Sequence, residues 1–141
     1  MKPREDFPKI YMYRRIVQAK LYIDRYYYQS INLDNIADEA FFSKFHFIRL
    51  FKSIYQTTPH QYLTAVRIKH AQLLLQDAKP VADVCYTVGF DSITSFSALF
   101  KKLIGQSPSV YQEQQLKRKQ EIEQLPLKYI PNCFAESNGW T

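Results

Sequence analysis

The side chains that could carry out enzyme chemistry are few and scattered along this chain of 141 residues. The histidines, His46, His60 and His70, show no spacing to acidic or sulfur residues that would form a metal site. The two cysteines, Cys85 and Cys133, cannot form a zinc cluster by themselves, and their separation of 48 residues matches no redox motif. We therefore expect no metal, no cofactor and no enzyme activity.

Basic side chains are more informative. Nineteen basic residues against thirteen acidic ones give a net charge of +6, which favours a polyanionic partner such as nucleic acid. The net charge is +4 over 1–30, only +2 over 31–111, and zero over 112–141. Binding of nucleic acid must therefore depend on where particular residues lie on particular helices.

The composition indicates one folded domain, since apolar residues make up 46% and charged residues 23% of the chain. Only three glycines are present, which argues against glycine-rich phosphate loops and dinucleotide-binding folds. The chain has no apolar run long enough to span a membrane, and its first residues lack the apolar core of a signal peptide. We expect a cytoplasmic protein with reduced thiols.

Apolar residues recur at helical spacing almost throughout, which predicts an all-α fold of seven helices. The predicted helices span about 10–28, 33–40, 43–54, 58–76, 80–88, 92–104 and 107–124. Their predicted N-caps are Asn32, Ser43, Thr58, Ser92 and Ser107, and the caps at 58 and 107 are each followed by proline. Gly89 and Gly105 are predicted to end helices in the left-handed conformation.

The helical periodicity also predicts which residues face the core. They are Leu33, Ile36, Ala37 and Ala40 in the second helix; Phe47, Leu50, Phe51 and Ile54 in the third; Tyr62, Leu63, Val66 and Leu74 in the fourth; Val84, Cys85 and Val88 in the fifth; and Phe96, Leu99, Phe100 and Leu103 in the sixth.

The sequence repeats itself at an offset of 49 residues. Segments 43–62 and 92–111 are identical at seven of twenty positions. The identical pairs are Ser43/Ser92, Phe47/Phe96, Leu50/Leu99, Phe51/Phe100, Lys52/Lys101, Pro59/Pro108 and Tyr62/Tyr111. Each copy follows a short helix and a tight turn, so each is predicted to form a helix-turn-helix unit. A helical bundle with duplicated packing and no ligand is the alternative interpretation.

Several motifs resemble the DNA-binding domain of AraC/XylS-type bacterial transcription regulators. They are Ile31-Asn-Leu-Asp-Asn-Ile-Ala, Ser43-x-x-x-Phe-x-x-Leu-Phe-Lys, Pro59-x-x-Tyr, Val88-Gly-Phe-Asp-Ser and Phe96-x-x-x-Phe-Lys-Lys-x-x-Gly-x-Ser-Pro-x-x-Tyr. The match covers about 16–111. The resemblance implies seven helices, with two helix-turn-helix units joined by a long linker helix. It also implies two recognition helices that enter successive major-groove segments, about 34 Å apart, on double-stranded DNA.

In the first unit, the resemblance places Phe45, Ile48 and Arg49 at positions that read bases. Arg49 is the strongest candidate, because a guanidinium can donate two hydrogen bonds to guanine. It could instead contact phosphate or pair with an acidic neighbour. Phe45 and Ile48 could contact thymine methyl groups or simply pack on neighbouring helices.

In the second unit, the outward residues include Ile93, Thr94, Ser97 and Ala98. Many family members carry an arginine where Ala98 stands. We assign base reading to Ile93, Thr94 and Ser97, which offer only apolar or hydroxyl contacts. We therefore expect weak sequence reading, or mainly phosphate anchoring, from this unit.

Phosphate contacts are expected from helix N-termini and lysines. The N-termini at Thr58 and Ser107 offer backbone N–H groups, although both caps could serve only to begin their helices. The complete set of predicted phosphate-binding residues is Ser43, Lys44, Lys52, Thr58, Lys101, Lys102 and Ser107.

We divide the chain into a DNA-binding domain over 1–112 and a C-terminal extension over 113–141. The extension is predicted to be helical to about Gln124 and then apolar. It could pack back on the domain, bind another subunit or bind RNA polymerase. The chain has no room for a separate small-molecule domain. Three consecutive tyrosines, 26–28, are expected to pack rather than to stack on bases.

The sequence predicts two alternative functions. The first is a sequence-specific DNA-binding transcription regulator, expected to be an activator. The second is a protein-interaction module on a helix-turn-helix fold that has lost strong sequence reading. Arg49 and the complete motifs favour the first, whereas Ala98 and the modest charge of the central region favour the second.

Overall fold

The computed structural model describes residues 3–34, 37 and 43–124. All regular secondary structure in those ranges is α-helical, as the sequence predicts. The elements are α1 (Pro3–Tyr26), α2 (Lys44–Tyr55), α3 (Pro59–Leu75), α4 (Val81–Thr87), α5 (Ile93–Ile104) and α6 (Pro108–Gln124).

One predicted helix falls largely outside the described residues. Leu33, Asp34 and Ala37 are helical, but the rest of the predicted helix 33–40 and the turn at 41–42 lie outside them. The structure therefore has six helices over its described ranges, and the predicted seventh stays a prediction.

The first helix differs from its predicted span of 10–28, because α1 begins at Pro3 and ends at Tyr26. The prediction relied on apolar periodicity, which starts only near Ile16. Proline is well accommodated at a first helical position, where its missing N–H leaves no hydrogen bond unmade. The helix therefore begins before the amphipathic segment from which it was predicted.

Two of the predicted caps, Ser43 and Ser92, are confirmed by their hydrogen bonds, whereas the cap at Asn32 stays a prediction. Ser43 Oγ accepts from the N–H of His46 at 3.2 Å, and Ser92 Oγ accepts from the N–H of Ser95 at 3.3 Å. Gly105 ends α5 with a φ of 91°, and Gly89, just after α4, has a φ of 105°. Local sequence signals thus determine most of the helix boundaries.

Two hydrophobic clusters form the core, and α3 contributes to both. The first cluster joins α1, α2 and the start of α3; its buried members are Ile16, Ala19, Ile23, Ala37, Phe47, Phe51 and Leu63. The second joins the remainder of α3 to α4, α5 and α6; its buried members are Ile68, Ala71, Leu75, Val84, Cys85, Val88, Phe96, Phe100 and Tyr111. Helix α3 packs against each of the other five helices.

The sequence repeat is also a repeat of aromatic packing. In the first unit, the ring of Phe51 lies 6.1 Å from Phe47 and 5.9 Å from Tyr62, between centroids. In the second, Phe100 lies 5.8 Å from Phe96 and 5.4 Å from Tyr111. Both contacts to tyrosine are edge-to-face, a favourable geometry for aromatic pairs. The identical residues of the repeat therefore build the same core in each unit.

Leu103 was predicted to face the core, but it is 50% exposed. The neighbouring Ile104 packs against the second cluster in its place. The buried stripe of α5 runs through Phe96 and Phe100 in steps of four residues, and the next step reaches position 104. This step places Leu103 at the edge of the buried face.

Candidate nucleic-acid interface

The outer face of α2 presents an aromatic ring beside positive charge. Phe45 is 76% exposed, and Arg49 and Lys52 are also exposed. Burial of Phe47 and Phe51 on the opposite side orients this face outward. Among the described residues, no ion pair involves Arg49. The guanidinium is thus available to an external acceptor.

Ile48 is less exposed than the prediction required. It is half-buried and packs against the first cluster. The side chain sits at the boundary between core and surface, as the packing alternative predicts, and base reading by Ile48 stays a prediction.

A second positive charge, at the beginning of α2, already has an acidic partner. Lys44 pairs with Asp34 at 3.4 Å, with both side chains more than half exposed. An exposed pair of this kind contributes little to stability. The side chain of Ser43 is already used as the N-cap of α2.

The outer face of α5 is smaller and less charged at its start. Ile93 is 41% exposed, Thr94 and Ala98 are exposed, and Ser97 is half-buried. Positive charge appears only in the last turn, at Lys101 and Lys102. Here the position equivalent to Arg49 offers a methyl group.

The N-termini of α3 and α6 are capped in similar ways. Thr58 and Gln61 form a reciprocal capping box, with each side chain accepting from the other residue's backbone N–H at 3.2 Å. Ser107 Oγ accepts from the N–H of Val110 at 3.3 Å. Their capping is therefore confirmed, whereas their phosphate contacts stay a prediction.

Arg67, in the middle of α3, was not anticipated from the sequence. It donates to the backbone carbonyl oxygens of Tyr27, at 2.7 Å, and Gln29, at 2.9 Å. Burial lowers the pKa of its guanidinium, and the nearby Asp91 partly opposes that shift. The available signal was an arginine between two β-branched apolar residues, Val66 and Ile68.

A second unanticipated contact joins α1 to α3. The hydroxyl of Tyr62 donates to Asp24, which also pairs with Lys20 at 2.7 Å. Burial, followed by the hydrogen bond to Asp24, raises the pKa of Tyr62. The hydrogen bond to Asp24 is also the main reason that the pKa of Lys20 is raised.

Other residues fit the packing roles predicted for them. Cys85 is a buried free thiol, and burial raises its pKa. The ring of Tyr27 stacks on His70 at 4.0 Å, and Tyr26 packs against Tyr22 at 4.9 Å. Within 3–34, 37 and 43–124, no group of three potential metal ligands comes together. Nor is any helix in those ranges long and apolar enough to cross a membrane.

Each of the two duplicated units exposes one serine-capped helix, and the second unit forms a complete helix-turn-helix of α4 and α5. Residues 36–114 match the family model described as "Helix-turn-helix domain". The chain belongs to this family, that of AraC/XylS-type transcription regulators, as the motifs predicted. It contains the DNA-binding domain of such a regulator, and the family and fold are not those of enzymes.

Named relatives support the assignment. The chain is 38% identical to "Probable transcriptional regulator LumQ" of Photobacterium leiognathi over 92 residues, 64% of this chain and 37% of that protein. It is 32% identical to the "Melibiose operon regulatory protein" of Escherichia coli K12 over 100 residues, 70% of this chain and 33% of that protein. The chain thus spans about a third of the length of these curated relatives.

A solved structure with DNA is similar too. The chain matches the DNA-binding domain of AdpA, described as a global transcriptional factor in complex with a target DNA, with a TM-score of 0.69 and 25% identity. The match covers 73% of this chain and 94% of that one.

Proposed function

We propose that this chain binds a two-part site on double-stranded DNA, with α2 and α5 in successive major-groove segments. The exposed pair of Phe45 and Arg49 on α2 carries this proposal. A buried phenylalanine layer holds α2 in place behind that pair, so a rigid element presents the reading side chains. Seven helices in all, with α3 as the linker between the two units, complete the proposed architecture.

The two units have different roles in this proposal. The first reads bases through Phe45, Ile48 and Arg49. The second reads bases weakly through Ile93, Thr94 and Ser97. The anchors to phosphate are Ser43, Lys44, Lys52, Thr58, Lys101, Lys102 and Ser107.

We further propose that the protein is a cytoplasmic transcription activator. Residues 1–112 form the DNA-binding domain, and the extension over 113–141 supplies a contact to RNA polymerase or to another subunit. The part of this extension beyond Gln124 lies outside the described residues. We propose the cytoplasmic location because the DNA of a bacterial cell lies in its cytoplasm.

Selection of bound duplexes from a random DNA pool tests the two-part site. Two motifs with centres about 10 base pairs apart are expected if both units read bases. A single motif would limit sequence reading to one unit. Absence of any enrichment would contradict sequence-specific binding.

Two substitutions test the assigned roles. Arg49→Ala should cost about 1–3 kcal/mol of preference at one base pair. Lys101→Ala should weaken binding to all sequences about equally and reduce the log–log salt slope by about 0.9. Equal binding of wild type and Arg49→Ala to every sequence would refute base reading by Arg49.

The alternative is a protein-interaction module on this fold. Ala98 is the observation that favours it, because the second unit lacks a charged side chain at the centre of its exposed helix. This alternative predicts no enrichment of any DNA sequence by the wild-type chain.

A further inference from the structure

Arg67 lies where the two core clusters meet along α3. Leu63, one turn before it, is buried in the first cluster, and Ile68, directly after it, is buried in the second. Arg67 therefore lies on α3 between a residue of the first cluster and a residue of the second.

Arg67 ties the end of α1 to α3. Its Nε and Nη2 atoms donate to the carbonyl oxygens of Tyr27 and Gln29, at 2.7 and 2.9 Å. Tyr27 and Gln29 lie in the turn just beyond α1, so their carbonyl groups take no part in its helical hydrogen bonds. Two donors in one rigid plane restrict the orientation of this segment more than a single bond would.

The second unit contacts the same guanidinium from the other side. The turn between α4 and α5 contains Gly89, where an added Cβ would lie 2.8 Å from the Tyr27 oxygen and 3.0 Å from Arg67 Nε. The next residue, Phe90, has its ring centroid 5.6 Å from the Arg67 guanidinium carbon. The close backbone approach permitted by Gly89 brings the second unit onto the same side chain as the segment that follows α1, a helix that itself packs against α2.

Tyr27 reinforces this junction. Its ring stacks on His70 of α3 at 4.0 Å and 8° between planes. It also packs at the edge of both hydrophobic clusters. The turn after α1, helix α3 and the α4–α5 turn therefore meet around one guanidinium and one aromatic ring.

We propose that Arg67 is a positioning residue that holds the two helix-turn-helix units in one relative orientation and thereby sets the half-site spacing that the chain accepts on DNA. This inference rests on the proposed two-part site. Small rotations at the junction would move the outer faces of α2 and α5 relative to each other. A change of one base pair moves a half-site along and around the DNA axis, so a rigid junction makes the chain sensitive to spacing.

The first test measures binding of duplexes whose half-site spacing is changed by one base pair in either direction. Wild type is expected to prefer its best spacing by about tenfold, comparable to the effect of one mismatched base pair. Arg67→Met should reduce this ratio to below about threefold while keeping the base preference at each half-site. Arg67→Lys keeps the charge but not the two-pronged donor, so it should give an intermediate ratio.

The matched control is Lys69→Met, which removes a charge from an exposed position of the same helix. It should weaken all duplexes equally, if at all, and leave the spacing ratio unchanged. Unfolding curves for each variant define a temperature at which all of them are folded. A spacing ratio that stays at the wild-type value in Arg67→Met would overturn the proposal.

A second measurement does not depend on DNA. Spin labels at Ser53→Cys on α2 and Leu103→Cys on α5, two exposed positions, report the distance between the units. Cys133→Ser removes one of the two native thiols, and the other, Cys85, is buried. A narrow distribution that broadens in Arg67→Met is expected, and an unchanged distribution would overturn the role of Arg67 in fixing the relative orientation of the units.

The two measurements separate two kinds of failure. If wild type selects only a single motif, the two-part site fails, and the role in spacing fails with it. The distance distribution then still decides whether Arg67 fixes the relative orientation of the units. If wild type selects a spaced pair but Arg67→Met behaves identically, only the role of Arg67 fails.

Discussion

The two helix-turn-helix units share their interior and differ at their surface. Each has a serine cap, two buried phenylalanines and a tyrosine in edge-to-face contact with the second phenylalanine. On the exposed side, Arg49 in the first unit corresponds to Ala98 in the second. The packing of a unit can thus be kept while its outer face changes, because those side chains lie on opposite faces of one helix.

The equivalent tyrosines of the two units, Tyr62 and Tyr111, differ in their hydrogen-bond partners. Tyr62 donates to a carboxylate that is also paired with Lys20, whereas the hydroxyl of Tyr111 accepts from the amide of Gln76 at 3.1 Å. The same residue therefore meets a charged network in one unit and a neutral group in the other. The first unit is expected to be the more sensitive to pH.

The largest predicted effect tests whether the two interiors are equivalent. Phe51→Ala and Phe100→Ala each empty a fully buried site and should each cost about 3–5 kcal/mol in free energy of unfolding. Denaturant unfolding at low temperature measures both. A cost below about 1 kcal/mol for one of them would show that its unit is loosely packed.

The next effect tests the difference between the outer faces. Ala98→Arg places a guanidinium where the second unit has a methyl group, and the exposed site leaves room for it. A new contact to guanine would add about 1–3 kcal/mol of preference at one base pair, and a phosphate contact would instead steepen the salt slope by about 0.9. Binding to selected duplexes at several salt concentrations distinguishes the guanine contact from the phosphate contact. Unchanged binding would argue against α5 facing DNA.

Tyr62→Phe tests the charged network. Loss of the hydrogen bond to Asp24 should cost about 1 kcal/mol near neutral pH. The pKa of Tyr62 is raised in the folded protein, so its contribution is complete below the ordinary tyrosine value of 10.0 and declines as pH rises through the folded value. The difference between wild type and Tyr62→Phe should therefore shrink at alkaline pH.

Unfolding of both proteins from about pH 8 to pH 11 measures this trend. Tyr111→Phe is the control from the second unit, because its tyrosine meets a neutral amide. A difference between wild type and Tyr62→Phe that is constant across this range would contradict the prediction.

The smallest effect concerns the ends of the two exposed helices. Gln56 ends α2 in the left-handed conformation with a φ of 65°, and its counterpart Gly105 ends α5 with a φ of 91°. This conformation strains glutamine, although glycine loses more entropy on folding, so Gln56→Gly should stabilise by about 0.5–1 kcal/mol. Gly105→Gln should destabilise by a similar amount through backbone strain. No steric clash adds to this strain, because no atom lies within 4 Å of the Cβ that glutamine would add.

Thermal unfolding of these two variants provides the comparison. Opposite shifts of similar size are expected, because the two ends have the same conformation. Destabilisation by Gln56→Gly would mean that the glutamine side chain, which donates to the carbonyl of Ser53 at 3.2 Å, outweighs the backbone strain.

Local signals in the sequence were sufficient for much of this protein. Ser43, Ser92 and Gly105 marked helix ends correctly, because a cap acts on the helix turn that adjoins it. Periodicity identified Phe47, Phe51, Phe96 and Phe100 as buried, since the spacing of apolar residues defines one face of a helix. The family motifs and the roles of Phe45 and Arg49 as candidates were read from the same short segments.

Tertiary structure alone decided how these segments meet. Arg67 contacts a carbonyl 40 residues away, and Tyr62 contacts a carboxylate 38 residues away. Contacts with neighbouring helices likewise decided that Ile104 rather than Leu103 packs against the core, and that Ile48 is half-buried. The sequence by itself determined the helices, their caps and their apolar faces, because these follow from interactions within a few residues. The junction was decided only in three dimensions, because its partners become neighbours only when the helices pack.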